Sequence, residues 1–204
     1  MNRISLEESP LSIVIFLLTI GISLYTIYGK KELFDKLALH PWSIVHDNKY
    51  YQFLTSGFIH ADVMHLMFNM LTFYFFAFEL EKFIGTWRFA LIYFASLIFS
   101  DVSTVFKQKD NQKYYAVGAS GAISGILFSY ILFSPTSKIG MFFIPIGIPA
   151  PLFALLYLAF CFYASKKSSD LINHEAHFWG ALTGLLVTIA LVPEVLLYFF
   201  HSIF

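Results

Sequence analysis

Cysteine and charge are both scarce in this chain of 204 residues. The single cysteine, Cys161, excludes an intrachain disulfide and any cysteine-based zinc site, and we expect it to pack inside a helix. Charged residues make up 13% of the chain, whereas soluble proteins average about 25%. Thirteen basic residues balance thirteen acidic ones, so no net field attracts nucleic acid. These shortages argue against a soluble globule and against a nucleic-acid partner.

Apolar residues are abundant, at 58% of the chain, compared with roughly 45–50% in soluble proteins. So much apolar surface has to face lipid, and six apolar runs are long enough to be membrane spans. The sequence therefore predicts an all-α polytopic membrane protein, a six-transmembrane-helix bundle that forms one domain over residues 1–204 in a lipid bilayer. The predicted spans are residues 11–28, 63–80, 89–106, 117–133, 141–164 and 176–192.

The first and fifth spans have features of their own. Glu7 and Glu8 precede the first span, where a signal peptide would carry positive charge, so we interpret this span as a retained membrane helix. The first half of span five contains Pro145, Pro149 and Pro151. Because proline removes an amide donor, we expect this helix to be short, kinked or mobile there.

Polar side chains inside a span are costly, and here they concentrate in three places. At the start of span two, His65 and Asn69 are four residues apart and share one helix face, with His60 before the helix or in its first turn. Such donors belong to a functional site or bond neighbouring helices to each other. These residues alone leave both interpretations open.

Span four opens with Gly118, Ser120 and Gly121 in a GxSG pattern. Glycines allow close backbone approach, and the free amides of a first helical turn can stabilise an oxyanion, so this pattern suits a serine nucleophile. The same glycines would also suit a face of small residues that packs against another helix.

Span six opens with His177, which is followed by the GxxxG stripe of Gly180 and Gly184. Such a stripe permits close approach of another backbone. Spans two, four and six all begin at one membrane face, so their polar side chains lie at similar depth. If spans four and six pack through their glycines, Ser120 meets His177, and a nucleophile, a base and oxyanion donors converge.

In their order and spacing, these motifs resemble the rhomboid family of intramembrane serine proteases. The resemblance rests on HxxxxHxxxN in span two, GxSG opening span four and AHxxGxxxG in span six, and it covers about residues 11–200. Glu81, twelve residues after Asn69, and the GTWR segment that ends at Arg88 agree with it.

The resemblance implies a Ser–His dyad without an aspartate, no cofactor and no metal. Ser120 would be the nucleophile, His177 the general base and acid, and His65 and Asn69 the oxyanion donors, supported by His60. The residues with structural roles would be Gly118, Gly121, Gly180, Gly184, Glu81 and Arg88. The implied substrate is a single-pass membrane protein that approaches sideways between spans two and five. The implied location is the cell (inner) membrane, with the active site open to the extracytoplasmic side.

Two features depart from the family pattern. Rhomboid proteases often carry a tyrosine four residues after the nucleophile, where it stacks on the catalytic histidine, whereas this chain has Ser124, a second candidate nucleophile. We therefore expect His177 to be less constrained, or supported by Phe178 or Trp179. Asp101, late in span three, belongs to none of the motifs.

The basic residues oppose the orientation that the family implies. The amino tail and the even-numbered loops hold four lysines and arginines, and the odd-numbered loops hold nine. The positive-inside rule would place the odd loops, and the site with them, in the cytoplasm. We follow the ordered motifs, because acidic residues offset part of this excess.

Two other functions stay open at this level. A metal-dependent hydrolase would bind zinc through His60, His65, His174 and His177, although the sequence has no HExxH motif. A non-catalytic rhomboid-like protein would only bind membrane helices, although Ser120 is intact.

Overall fold

The computed structural model describes residues 7–29, 31–141, 144–167 and 172–204. Its long helices are α1 (Pro10–Tyr28), α5 (Val63–Ile84), α6 (Thr86–Gln108), α7 (Ser120–Phe133), α8 (Ala150–Lys167) and α9 (His174–Leu191). Shorter helices are α2 (Lys31–Leu37), α3 (Pro41–His46), α4 (Gln52–Thr55) and α10 (Val195–Ile203), with one 3-10 turn at Ser56–Phe58. The only strands in the described part form the antiparallel hairpin of β1 (Lys138–Met141) and β2 (Ile144–Pro149). The predicted all-α membrane bundle is confirmed.

Three helices in the described part, α1, α5 and α6, are long and apolar enough to cross a membrane. A fourth span results if α9 and α10, which are bent by 108° relative to each other, are counted together. α7 has only 14 residues, a length of about 21 Å, which is less than the hydrocarbon thickness of about 30 Å. The count of six spans stays a prediction.

α7 lies at the centre of the bundle, where it packs against α5, α6 and α9. Gly121, in its first turn, faces Ser100 so closely that no Cβ would fit between them. Ser100 lies eight residues before the end of α6 at Gln108, or about 12 Å along the helix. At the other end of α7, the Phe133 ring lies 6.1 Å from Phe83 near the end of α5. α7 therefore begins well inside the bundle and ends level with its neighbours.

The segment before α7 is held by the region between α1 and α5. Leu39 and Ala116 pair through backbone hydrogen bonds in both directions. Gly118 N donates to the Ser56 carbonyl at 3.0 Å, two residues before α7 begins. Gln52, which is 2% exposed, uses its side chain to bond backbone groups within that region. These contacts fix the position of the first residue of α7.

Span five differs most from its prediction. We predicted a helix from residue 141, but the structure has the β1–β2 hairpin there, and α8 begins at Ala150. Proline and glycine alternate with apolar residues before Ala150, and proline cannot donate the helical hydrogen bond that continuation would need. The predicted start of span five was therefore wrong by nine residues. The described residues do not include residues 142 and 143 of that predicted span. They also do not include Arg3 and Lys30, which were counted among the basic residues.

Candidate active site

Ser120 is the first residue of α7, and its local conformation is set by the residue two positions earlier. Gly118 has φ of +116°, which disfavours any residue with a side chain. A Cβ there would also lie 2.7 Å from Cε1 of His65. The bond from Ile123 N to the Ala119 carbonyl closes the first turn, so the amides of Ser120 and the next two residues have no acceptor within the helix. The chain thus presents a serine hydroxyl beside free N–H donors.

Glycines bring α7 and α9 into backbone contact. A Cβ on Gly180 would overlap the Gly121 carbonyl, and a Cβ on Gly184 would overlap the Gly125 backbone. Two helices can approach this closely only where both lack side chains at the crossing. The spacing between the dyad residues is therefore set by glycine on both helices.

This contact brings the Ser120 hydroxyl and the His177 imidazole together. Ser120 Oγ lies 2.8 Å from His177 Nε2, within the range of a strong hydrogen bond. Asn173 caps α9 by accepting a hydrogen bond from Ala176 N at 3.1 Å. The His174 ring, one turn before His177, meets it edge to face with 6.1 Å between ring centroids. Both dyad residues are partly exposed, so water can reach them.

The predicted oxyanion residues lie in the first two turns of α5. Asp62 caps this helix by accepting a hydrogen bond from His65 N at 2.8 Å. The His65 ring packs against Gly118, two residues before Ser120. Asn69 is 7% exposed and donates from Nδ2 to the His65 carbonyl at 3.0 Å. In this state the Asn69 amide is held within its own helix.

His60 supports the same corner from the loop before α5 and is fully buried. Burial and, to a smaller extent, nearby His65 lower the pKa of His60 to about 3, while Asp62 opposes the shift. The ring is therefore neutral at pH 7. Ser23 donates its hydroxyl proton to the Phe58 carbonyl at 3.0 Å, so its oxygen accepts from His60 Nδ1 at 2.9 Å. His60 then packs edge to face on His65, with 4.9 Å between centroids.

Ser124 occupies the position at which a tyrosine was expected, and the structure supplies a tyrosine from another helix. Ser124 Oγ donates to the Ser120 carbonyl at 2.9 Å and lies 2.7 Å from the hydroxyl of Tyr157 on α8. Nothing in the local sequence pattern distinguishes Tyr157 from the other aromatic residues of that span, so its contact with Ser124 was not predicted. Phe178, proposed as a support for His177, packs on Trp179 and Phe162.

Glu81 joins α1 to the rest of the bundle. Its carboxylate is fully buried and accepts hydrogen bonds from Leu11 N at 3.1 Å, Ser12 N at 2.7 Å and the Thr86 hydroxyl at 2.8 Å. A negative group at the N-terminus of α1 satisfies its free amides and complements the helix dipole. This carboxylate therefore fixes α1 against the α5–α6 turn.

Arg88 lies near the same turn, at the start of α6. It donates to the Ile84 carbonyl at the end of α5, at 3.3 Å. Its guanidinium also lies 4.7 Å from the centre of the Trp87 ring. A cation at a helix C-terminus is favourable, so both contacts support the α5–α6 corner.

Asp101 lines a cavity of about 20 Å³ together with Ser120, Ser56 and Asn173. A cavity of this size holds one water molecule. Asp101 and Ser120 therefore border the same water-sized space.

The four histidines proposed as metal ligands do not form one group. Among the described residues, the set that could share a metal ion consists of Cys161, His174 and His177, whose ligand atoms all lie within 4.8 Å of one another. His60 and His65 are not part of it. The predicted histidine cluster was therefore wrong in its membership.

Comparison with known proteins gives a consistent result. Residues 47–194 match the model of the Rhomboid domain family. The rhomboid-family protein YdcA of Bacillus subtilis is 32% identical over 150 residues, 74% of this chain and 71% of YdcA. The rhomboid protease GlpG of Photorhabdus laumondii is 25% identical over 197 residues, 91% of this chain and 63% of GlpG. The rhomboid protease GluP of Bacillus subtilis is 30% identical over 150 residues, 73% of this chain and 27% of GluP.

Proposed function

The chain belongs to the rhomboid family and is an intramembrane serine protease, and on this premise we propose that Ser120 is its nucleophile and His177 its general base. The observation that supports these roles most strongly is the distance of 2.8 Å between Ser120 Oγ and His177 Nε2. A nucleophile within hydrogen-bond reach of a base is the geometry that acyl transfer requires. Ser124, the competing serine, bonds Tyr157 and a carbonyl instead.

In this proposal the reaction has two stages. Ser120 Oγ attacks the scissile carbonyl while His177 Nε2 accepts its proton, and the imidazolium then protonates the leaving amine. Water next attacks the acyl-enzyme, with His177 again as the base, and releases the second product. The partial exposure of both side chains supports access of that water from the membrane face on which α5, α7 and α9 begin.

The oxyanion that forms at the carbonyl needs donors beside Ser120. We assign this role to the Ser120 amide and to the side chains of His65 and Asn69, with His60 holding the His65 ring from behind. The Asn69 amide would leave its bond to the His65 carbonyl when substrate binds. Loss of one such donor typically lowers turnover by about 10²–10³.

The helix packing supports lateral approach of a substrate helix between α5 and α8. Both helices pack on α7, whereas within the described part of the chain their contacts with each other are slight at most. α8 is bound loosely, since its buried residues are only Ala150, Cys161 and Ala164. Elements with few buried contacts open at low free energy. We therefore propose a single-pass membrane protein as the substrate.

We further propose that the protein resides in the cell membrane with its active site towards the extracytoplasmic side. The basic excess on the odd loops is partly neutralised, since Lys107 pairs with Glu175 at 2.7 Å and Lys49 with Asp47 at 3.2 Å. Lys109 and Lys138 are exposed and lie beyond opposite ends of the bundle.

Single cysteines at these positions test the orientation. In a Cys161→Ser background, an impermeant thiol reagent added outside should label Lys109→Cys and spare Lys138→Cys. Labelling of the second variant alone would reverse the proposed orientation.

Reconstituted protein with a generic single-pass substrate tests the assignment of the dyad. Ser120→Ala and His177→Ala should lose cleavage, whereas Ser124→Ala, the matched control one turn away, should keep most of it. Cleavage that persists in Ser120→Ala would refute the proposed nucleophile.

A further inference from the structure

The buried side of α8 carries a thiol that lies close to His177, the proposed general base. Cys161 Sγ, one ring nitrogen of His174 and one ring nitrogen of His177 lie within 4.8 Å of one another. Cys161 is 1% exposed and His174 is 5% exposed. These are three good metal ligands inside the bundle, unlike the exposed acidic clusters that often form by chance on surfaces.

The helices direct these side chains to one point. His174 and His177 are one turn apart on α9 and therefore share a face. Most side chains of α8 are exposed, and even Phe160 and Phe162, whose rings touch α9, are 59% and 51% exposed. Cys161, between those two, is buried and lies against His174 and His177 of α9.

Neighbouring side chains hold these groups in place. The Tyr157 hydroxyl, one turn before Cys161 on α8, lies next to the thiol and is itself held by a contact of 2.7 Å with Ser124 Oγ. The Phe160 ring packs edge to face on His174, with 5.3 Å between centroids. Contacts of this kind orient metal ligands and tune their affinity.

The separation is close to what zinc requires. With Zn–N of about 2.0–2.1 Å and Zn–S of about 2.3 Å in a tetrahedral site, ligand atoms lie about 3.3–3.6 Å apart. The ligand atoms are at most 4.8 Å apart here, so side-chain movements of about 1 Å bring them to the separation that zinc requires. The loose packing of α8 permits such movements. The mixture of one thiolate and two imidazoles suits zinc rather than magnesium or calcium.

We propose that the protein binds one Zn²⁺ ion through Cys161, His174 and His177, and that the ion switches the protease off. Binding releases the thiol proton to solvent, and each neutral imidazole coordinates through its unprotonated nitrogen. Water fills the fourth position. The single cysteine led us to exclude any cysteine-based zinc site, but that exclusion holds only for sites built from several cysteines, and this mixed site needs one.

Inhibition follows from the imidazole itself. If zinc binds His177 at Nε2, that atom can no longer accept the Ser120 proton. If zinc binds at Nδ1, the single ring proton resides on Nε2, which then donates to Ser120 instead of accepting. Either geometry removes the base. This consequence rests on the proposed role of His177, whereas metal binding does not.

Binding is tested without proteolysis, on full-length Ser120→Ala protein purified through a tag that lacks histidine. Titration with Co²⁺ should produce the absorption of a cobalt–thiolate bond, and added Zn²⁺ should abolish it. The same protein with Cys161→Ala should show no such band. A band that persists without Cys161, or the lack of any band in the parent protein, would overturn the site.

Inhibition is tested on the active protein. Micromolar Zn²⁺ should stop cleavage and a chelator should restore it, while Cys161→Ser should cleave normally and require at least about tenfold more zinc. Equal zinc sensitivity of both proteins, or insensitivity of the wild type, would refute the switch. A wrong dyad is recognised separately, because Ser120→Ala or His177→Ala would then still cleave.

Discussion

A methyl group at Gly180 tests how closely the dyad depends on the contact between α7 and α9. In Gly180→Ala the new Cβ would lie 2.7 Å from the Gly121 carbonyl carbon and 3.0 Å from its Cα. Carbon atoms normally pack at about 3.5–4.0 Å, so the helices must separate by about 0.8 Å. The distance from Ser120 Oγ to His177 Nε2 would then grow from 2.8 Å to about 3.6 Å, beyond hydrogen-bond range.

Misplacement of about 1 Å typically costs about 10² in rate, and overpacking costs about 1–3 kcal/mol of stability. We therefore expect Gly180→Ala to remain folded and to cleave about a hundredfold more slowly. Initial rates in proteoliposomes, beside a thermal melt, measure both effects. Gly21→Ala is the matched control, because a Cβ there meets nothing within 4 Å. A folded Gly180→Ala that cleaves within twofold of wild type would refute the reasoning.

Three further predictions concern the surroundings of the dyad. Tyr157→Phe removes the hydrogen bond from α8 to Ser124, which is worth about 1 kcal/mol. Because α8 then moves aside more easily, kcat/KM for a membrane substrate should rise up to about fivefold. A decrease would show that α8 need not move. Burial holds the pKa of His60 at about 3 in the folded protein, whereas an exposed histidine has a pKa of about 6.5. As the pH falls from 7 to 5, the unfolded state therefore binds a proton and the folded state does not, so the free energy of unfolding should drop by about 2 kcal/mol. Thermal melts of His60→Gln should lack most of this slope, and an unchanged slope would assign it to another group. Glu81→Gln weakens the cap of α1 and should cost about 1–3 kcal/mol without changing the cleavage rate of folded protein; an unaltered melting temperature would contradict this.

The sequence predicted the parts of the site that depend on helical periodicity and glycine spacing. His65 and Asn69 could be assigned to one helix face because residues four apart coincide in any α-helix. The meeting of Ser120 with His177 could be predicted because paired glycines allow helices to touch. The structure has both arrangements.

Features that depend on packing between distant segments could not be predicted. The hairpin before α8 is apolar enough to resemble a span, so hydropathy placed the helix start nine residues too early. Tyr157 and Cys161 look like ordinary apolar positions of that helix, and only its rotation about its own axis turns them towards Ser124 and His177. No local pattern fixes this rotation, because it results from contacts with α7 and α9.

The most direct measurement is the site of covalent labelling by a fluorophosphonate, which reacts preferentially with an activated serine. Mass spectrometry of the labelled protein should find the adduct on Ser120, and labelling should vanish in His177→Ala, because the unassisted hydroxyl is a weak nucleophile. An adduct on Ser124, or undiminished labelling without His177, would contradict the account of the dyad.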